Sequence, residues 1–148
     1  MAHLTVRGYM TKSPFTVGAD QPLAVAHRVM REHRIRHLPV LSAGKLVGVV
    51  TERDLELVEA LPGSDAAAIK VGEAMTPMPY AIEPQSSLEW VALEMAEHKY
   101  GCTVVVERGR VIGVFTTVDA LRALTDLLAR ARRRGKHAAH APWPHGLS

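Results

Sequence analysis

GVVTERD at residues 48–54 returns as GVFTTVD at residues 113–119, sixty-five positions later. Extending the alignment outward from these stretches places residues 6–58 over residues 71–123 without a gap. A gapless internal repeat predicts two copies of one structural unit. Two such copies usually pack about a pseudo-twofold axis, and the cleft between them is a favourable position for a ligand.

Each copy begins with the pattern of a short strand followed by a helix. Proline-containing segments at residues 13–17 and 78–82 favour extended edge strands. Apolar residues then recur at i, i+3 and i+7, starting from Leu23 in the first copy and from Leu88 in the second. This spacing predicts an amphipathic helix in each copy.

The remainder of each copy predicts a hairpin and a second helix. Two apolar runs flank a four-residue connection that contains glycine, which is typical of a β-hairpin. Asp20 and Ser86 are the expected N-caps of the first helices, and Thr51 and Thr116 are the expected starts of the second helices. The fold class is therefore α/β (of the α+β type), with two β-α-β-β-α repeats about a pseudo-twofold axis.

The chain divides into two repeats, a linker and a tail. We expect the first repeat at 5–60, the linker at 61–70, the second repeat at 71–128 and a basic tail at 129–148. The last helix is expected to run from about Val118 to Arg133, and the His-, Pro- and Ala-rich remainder to be disordered. Because five basic residues lie in the tail, the rest of the chain has 13 basic and 15 acidic residues. The basicity thus belongs to the tail.

Composition limits the compartment and the class of protein. The single cysteine, Cys102, cannot form an internal disulfide, which favours a reducing compartment. No apolar run approaches the roughly 18 residues of a membrane span, and the N-terminus lacks a secretory pattern. We therefore expect a cytoplasmic protein without a membrane partner. No nucleophile–base pair and no Walker loop are visible, so we do not expect an enzyme.

The Thr-x-x-Asp motif of both copies admits two interpretations. Thr51 with Asp54, and Thr116 with Asp119, match the spacing of a helix capping box. The same positions would also suit a ligand, since a helix N-terminus attracts an anion and a carboxylate can accept hydrogen bonds from two vicinal hydroxyls. A cap explains less well why glycine, threonine and aspartate are all retained in both copies.

These residues together resemble a known family. IRHLPV at residues 35–40, a Gly-Lys turn and GVVTERDL at residues 48–55 resemble a cystathionine β-synthase (CBS) domain, and the second copy is similar at 104–106 and 113–119. Both copies also begin with Met-Thr followed by proline. The resemblance covers residues 5–124. It implies a CBS pair that binds adenosine-containing ligands in its cleft and associates as a dimer.

The resemblance also implies roles for individual residues. Asp54 and Asp119 would hold ribose hydroxyls, and Thr51 and Thr116 would face ribose or phosphate. The residues implied to border the base and the phosphate are Lys12, Ser13, Pro14, Thr16, Arg36, His37, Leu38, Pro39, Arg53, Met78, Pro79, Tyr80, Ala81, Gly101, Cys102, Thr103 and Val104. Among them, Lys12, Arg36, His37 and Arg53 belong to the first copy, and we expect this cationic group to favour phosphorylated ligands there.

The resulting hypothesis is a stand-alone regulator. It would sense AMP, ADP, ATP or S-adenosylmethionine, as an energy sensor does, with no required cofactor and with an unknown regulated protein. A leucine-rich last helix predicts a homodimer; its apolar residues are Leu121, Leu124, Leu127 and Leu128. The alternative is a ligand-independent adaptor or nucleic-acid-associated protein that uses the basic tail. Nucleic acid is not the expected partner, because the body has no basic surplus.

We expect no metal site. His33 and His37 are four residues apart but straddle a predicted helix end and lack a third ligand. His137, His140 and His145 of the tail would chelate a metal only weakly. Cys102 has no positioned base and is expected to be a buried small residue.

Overall fold

The structure is a computed structural model that describes residues 3–135. The first repeat contains a 3-10 turn (Val6–Gly8), β1 (Thr11–Lys12), β2 (Val17–Gly18), α1 (Leu23–His33), β3 (His37–Ser42), β4 (Lys45–Thr51) and α2 (Glu52–Glu59). The second contains α3 (Val71–Ala74), β5 (Thr76–Pro77), β6 (Ala81–Ile82), α4 (Leu88–His98), β7 (Cys102–Glu107), β8 (Arg110–Thr116) and α5 (Thr117–Arg134). From β2 and from β6 onward, each repeat follows the predicted β-α-β-β-α order.

The starts of these elements correct two predictions. The segments at residues 13–17 and 78–82 are strands only at their C-terminal ends. Each begins with a residue in the left-handed conformation, Ser13 (φ 50°) or Met78 (φ 52°), which interrupts an extended strand. Asp20 and Ser86 do not cap the helices. The N-cap of α1 is Pro22, which makes no side-chain cap, and the N-cap of α4 is Ser87, whose hydroxyl accepts a hydrogen bond from the backbone N–H of Trp90 at 3.2 Å.

The two repeats exchange their leading strands. One sheet has the order β1-β8-β7-β6 and the other β2-β3-β4-β5, so β1 and β5 each join the sheet of the opposite repeat. β1 runs antiparallel to β8, with Thr11 opposite Val114. β5 repeats this pairing with β4, with Thr76 opposite Val49. Residues 13–16 and 78–80 then carry the chain back to the sheet of their own repeat.

The exchange explains the glycine of the repeated motif. A Cβ atom added at Gly48 would lie 2.5 Å from the Met75 sulfur and 2.7 Å from the Thr76 carbonyl oxygen. At Gly113 it would lie 2.7 Å from the Met10 sulfur and 3.0 Å from the carbonyl oxygen of the exchanged strand. Only glycine allows a backbone to approach this closely. Glycine at this position therefore serves the strand exchange.

The exchange also divides the interior into two cores. Val6 and Met10 of the first leading segment pack into the core of the second repeat, around Phe115. Val71 is fully buried in the core of the first repeat, beside Leu23. Each core therefore needs side chains from both halves of the chain. Burial of such aliphatic side chains contributes about 1.5–3 kcal/mol each.

The last helix runs through part of the predicted tail. α5 ends at Arg134, one residue beyond the predicted end, so residues 129–134 are helical. Arginines in its last turn suit the negative end of the helix dipole. The remaining tail, including His137, His140 and His145, lies outside the described residues, as do the predictions made for it. No helix in residues 3–135 is long and apolar enough to cross a membrane.

Candidate functional site

Both Thr-x-x-Asp motifs form capping boxes at helix starts. The Thr51 hydroxyl accepts from the backbone N–H of Asp54 at 3.1 Å, and the Asp54 carboxylate accepts from the backbone N–H of Thr51 at 2.8 Å. Thr116 and Asp119 make the same reciprocal pair at the start of α5. The capping interpretation is therefore confirmed in both repeats. A ligand role depends on what else reaches each carboxylate.

The Asp54 carboxylate is the more open of the two. Its side chain is half-buried, and the described part of the chain supplies one hydrogen-bond donor to it, the Thr51 N–H. An ionised carboxylate can accept at about four lone-pair positions. Acceptor capacity is therefore left at Asp54 for donors outside the protein.

Asp119 has a different environment. Its residue is 3% exposed, and its carboxylate accepts from the Thr116 N–H at 2.9 Å and from the Thr116 hydroxyl at 3.1 Å. The Thr11 hydroxyl on the exchanged strand donates a third bond, 3.0 Å from Oδ1 and 3.3 Å from Oδ2. The mostly exposed Arg122 has its Nη1 atom 3.8 Å from Oδ1 of Asp119. Protein donors therefore engage both oxygens of Asp119.

A cleft of about 620 Å³ opens between the two repeats, at the ends of β4 and β8. Both repeats line it, with the larger share from the first. Its lining residues are Arg36, His37, Thr51, Glu52, Arg53, Glu56, Leu57, Gly101 and Thr117. We call this space the central cleft. It brings five predicted site residues together (Arg36, His37, Thr51, Arg53 and Gly101). Asp54 does not itself line the cleft, but its carboxylate is hydrogen-bonded to the backbone of the lining residue Thr51.

The charge of the central cleft is mixed. Arg36 and Arg53 are cations, while Glu52 and Glu56 oppose them. Burial, with a further contribution from Arg36, lowers the pKa of His37 below its ordinary value of 6.5, despite the opposing fields of Asp54 and Glu52. His37 is therefore harder to protonate than a free histidine, which weakens it as the cation that the sequence predicted there. Its Nε2 would lie 3.2 Å from a Cβ placed on Gly101, so its ring reaches the second repeat.

The strand exchange corrects the grouping of Lys12 with the first copy's site. Lys12 pairs with Gly113 of β8 and so belongs to the sheet that leads into Asp119. Conversely, Pro77 pairs with Gly48, so Met78 follows a strand of the Asp54 sheet. The crossing residues between the two sheets are Ser13, Pro14 and Thr16 on one side and Met78, Pro79 and Tyr80 on the other, with Ala81 beginning β6.

Several other predicted site residues have buried side chains. Leu38, Pro39 and Val104 are fully buried, and the Thr103 hydroxyl donates to the carbonyl oxygen of Phe115 at 3.0 Å. These residues can offer a ligand only backbone groups. Burial raises the pKa of the Cys102 thiol to about 12, with a smaller contribution from the charge of Asp119. A thiol that stays protonated is a poor nucleophile.

Aromatic pairs hold the crossing segments against the helix ends. Phe15 stacks on His33 at the end of α1, with ring centroids 3.8 Å apart. The ring centroids of Tyr80 and Tyr100 are 5.1 Å apart, and the Tyr100 ring in turn stacks on His98. Within residues 3–135, no group of three or more His, Cys, Asp or Glu side chains is placed to hold a metal ion.

Sequence reasoning missed some residues of the site. Thr117, Glu52, Glu56 and Leu57 line the central cleft, and their positions beside the motif could have indicated this. Thr11 was missed because it lies far from Asp119 along the chain. Its recurrence as Thr76, in the Met-Thr pair of each copy, was the available signal.

Comparison with known proteins matches the two repeats separately. The family model of the CBS domain matches residues 6–58 and again residues 71–126. The CBS domain-containing protein YhcV of Bacillus subtilis is 29% identical over 115 residues, which cover 78% of this chain and 81% of that protein. An inosine-5′-monophosphate dehydrogenase of Korarchaeum cryptofilum is 33% identical over 75% of this chain, but the match spans only 22% of the dehydrogenase.

Two solved structures with similar folds contain adenosine ligands. The CBS domain pair of protein MJ0100, in complex with 5′-methylthioadenosine and S-adenosyl-L-methionine, has a TM-score of 0.76 and 25% identity, covering 85% of this chain and 99% of that one. CBSX2 in complex with AMP has a TM-score of 0.76 and 25% identity, covering 84% and 98%.

Proposed function

The chain belongs to the CBS-domain family, and from that membership we propose that it is a regulatory module that binds an adenosine nucleotide between its two CBS domains. A change in conformation or in dimer arrangement on binding would carry the signal to a regulated protein. A ligand shifts such an equilibrium only by its difference in affinity for the two states. No catalytic role is part of this proposal.

The observation that carries the proposal is the open carboxylate of Asp54 beside the central cleft. A ribose offers two neighbouring hydroxyl donors, and Asp54 has unused acceptor capacity in a half-buried position. Arg36 and Arg53 line the same cleft and suit a phosphate. The cleft volume of about 620 Å³ is in the range of small-molecule sites.

The comparisons support adenosine as the common part of the ligand. One structural neighbour holds AMP, and another holds 5′-methylthioadenosine and S-adenosyl-L-methionine. For this chain, the two arginines of the central cleft favour the phosphorylated member of that group. We therefore propose AMP, ADP or ATP ahead of S-adenosylmethionine.

We also propose a homodimer that uses the surface between α4 and α5. Leu121, Leu124 and Leu128 of α5 are each more than half exposed, as is Trp90 of α4. Leu124 also lines an apolar groove of about 540 Å³, together with Leu127 of α5 and with Leu88 and Ala92 of α4. The dimer should appear in light scattering, and Leu124→Glu should shift it towards the monomer. A monomeric unmodified protein at micromolar concentration would count against the dimer.

A thermal-shift titration tests the ligand proposal. AMP is expected to raise the melting temperature of the protein, because a ligand that binds only the folded state stabilises it. Asp54→Asn should remove most of that rise, while the exposed Asp20→Asn serves as the matched control and should keep it. Adenosine, which lacks the phosphate, should bind more weakly than AMP.

The same titration separates a ligand contact from a cap. An asparagine amide oxygen can accept the bond from the Thr51 N–H that the Asp54 carboxylate accepts. Asp54→Asn should therefore melt near the unmodified protein when no ligand is present. If Asp54→Asn melts early but responds to AMP normally, Asp54 is a cap alone and the proposed site is wrong.

A further inference from the structure

The carboxylate of Asp119 is already engaged by a group from the opposite repeat. The Thr11 hydroxyl lies 3.0 Å from its Oδ1, and the two residues are 108 positions apart in the chain. Only the exchange of β1 into the sheet of β8 brings them together. Two donors of Thr116 bond the same carboxylate, and Asp119 as a whole residue is 3% exposed.

The matched position in the other repeat shows that the fold does not require this bond. Thr76 stands opposite Val49 as Thr11 stands opposite Val114, so the two threonines share one register. Among the described contacts, Thr11 donates to Asp119 and Thr76 makes no bond to Asp54. The motifs agree, but the carboxylate of Asp119 accepts two hydroxyl donors that Asp54 lacks: the Thr116 hydroxyl of its own capping box and the Thr11 hydroxyl of the opposite repeat.

The chemistry of that contact is the chemistry of the expected ligand. A ribose diol would bind a carboxylate by donating O–H groups to its oxygens, and the Thr11 hydroxyl is an O–H donor at the same oxygens. A hydrogen bond from a hydroxyl to a charged carboxylate is stronger than one between neutral groups. A diol at Asp119 must therefore displace the Thr11 hydroxyl, whereas a diol at Asp54 displaces no side-chain hydroxyl within the described residues.

We propose that the Thr11 hydroxyl is an internal competitor for the ribose at Asp119, and that it makes the second site bind adenosine ligands more weakly than the first. This inference rests on the proposed function, since it concerns the affinity of the same class of ligand. Thr11 acts across the repeats, so the exchanged strand sets the difference between the two sites. Removing the hydroxyl should strengthen the Asp119 site.

Calorimetric titration with AMP tests the inference in a background where only one site remains. Asp54→Asn leaves the Asp119 site to be measured alone. Adding Thr11→Val should then tighten AMP binding roughly tenfold, the effect of one bond to a charged group, while Thr11→Ser, which keeps a hydroxyl, should not. The matched control is Thr76→Val in the Asp119→Asn background, which should leave AMP affinity unchanged.

The possible outcomes are distinguishable. The competitor role is wrong if Asp54→Asn/Thr11→Val binds AMP no more tightly than Asp54→Asn does. It is also wrong if neither of these two variants binds AMP although the unmodified protein does. Melting temperatures of the variants without ligand show that each is folded; Val suits the exposed strand position of Thr11. If neither the unmodified protein nor any variant binds AMP, the proposed function fails and this inference fails with it.

Discussion

The two repeats place the same aspartate at the same helix position, yet its surroundings differ. Asp54 is half-buried and accepts one hydrogen bond from the described residues, the bond of its own capping box. Asp119 is buried and accepts bonds from Thr116 and from Thr11 of the opposite repeat. A motif conserved between repeats therefore fixes the backbone of a site, while residues from elsewhere decide whether its carboxylate is available.

The residues near the two aspartates also differ, and the more polar ones are again in the first repeat. His37 and Arg53 line the central cleft in the first repeat. Their counterparts sixty-five positions later are Cys102 and Val118, which carry no charge at neutral pH. The first repeat thus supplies polar groups that face the cleft, and the second supplies the more apolar helix face. The proposed ligand site and the proposed dimer contact therefore fall on different repeats of one fold.

The largest expected effect concerns the glycines at the strand exchange. Gly48→Ala forces a Cβ to within 2.7 Å of a backbone oxygen, and Gly113→Ala to within 3.0 Å. Overpacking of this kind typically costs about 1–3 kcal/mol of the free energy of unfolding. We expect Gly48→Ala to cost about 3 kcal/mol or more, and Gly113→Ala to cost less than Gly48→Ala. Urea unfolding measures both. Equal losses of unfolding free energy, or a larger loss for Gly113→Ala, would contradict this difference between the two repeats.

The aspartates themselves give an intermediate effect in the absence of ligand. Asp119→Asn places an amide among three donors, and its NH₂ group cannot accept, so we expect a loss of about 2 kcal/mol in the free energy of unfolding. Asp54→Asn keeps an oxygen for the single donor, the Thr51 N–H, and loses only the negative charge in the first turn of the helix, so we expect a loss of about 0.3–1 kcal/mol. The comparison is wrong if Asp54→Asn proves the more damaging substitution.

The smallest expected effect is a pH dependence confined to the first repeat. Burial holds the pKa of His37 below 6.5, so between the folded-state pKa and 6.5 the unfolded chain binds more protons than the folded one. This contribution to stability is complete above pH 6.5 and is lost as the pH falls towards the folded-state pKa. Subtracting the profile of His37→Gln should isolate it from the other histidines.

The second repeat provides the control for that measurement. The counterpart of His37 is Cys102, whose thiol pKa of about 12 leaves it neutral across the same window. Cys102→Ser should therefore reproduce the shape of the unmodified profile between pH 5 and 7. A His37→Gln profile parallel to that of the unmodified protein would show that His37 makes no pH-dependent contribution.

Local patterns predicted most of the fold. The helical spacing from Leu23 and Leu88, and the glycine-containing turns of the hairpins, are properties of short segments, and both recur in the structure. β1 and β5 have two residues each, too few for any periodicity, and their partners are distant in the chain. The strand exchange could not be read from such segments. The recurrence of Gly48 as Gly113 was its one visible trace.

The site was predicted less completely than the fold, for the same reason. Arg36, His37 and Arg53 were grouped correctly because β3, β4 and α2 are neighbours in the chain. Lys12 was grouped with the cations of the first copy, but the exchange places its strand in the sheet that leads to Asp119. The contrast between Asp54 and Asp119 had no local signal, since threonine precedes each by three residues and Met-Thr begins each copy.

The exchanged strands also impose an order on folding during synthesis. The core around Leu23 is complete once Val71 and β5 have left the ribosome, so the first repeat can close while the second is still being made. Val6 and Met10 must wait for Phe115 and β8, which are made about one hundred residues later. Until then Val6 and Met10 have no core to enter, and β1 has no partner strand. The first repeat thus carries apolar side chains that only the second repeat can bury.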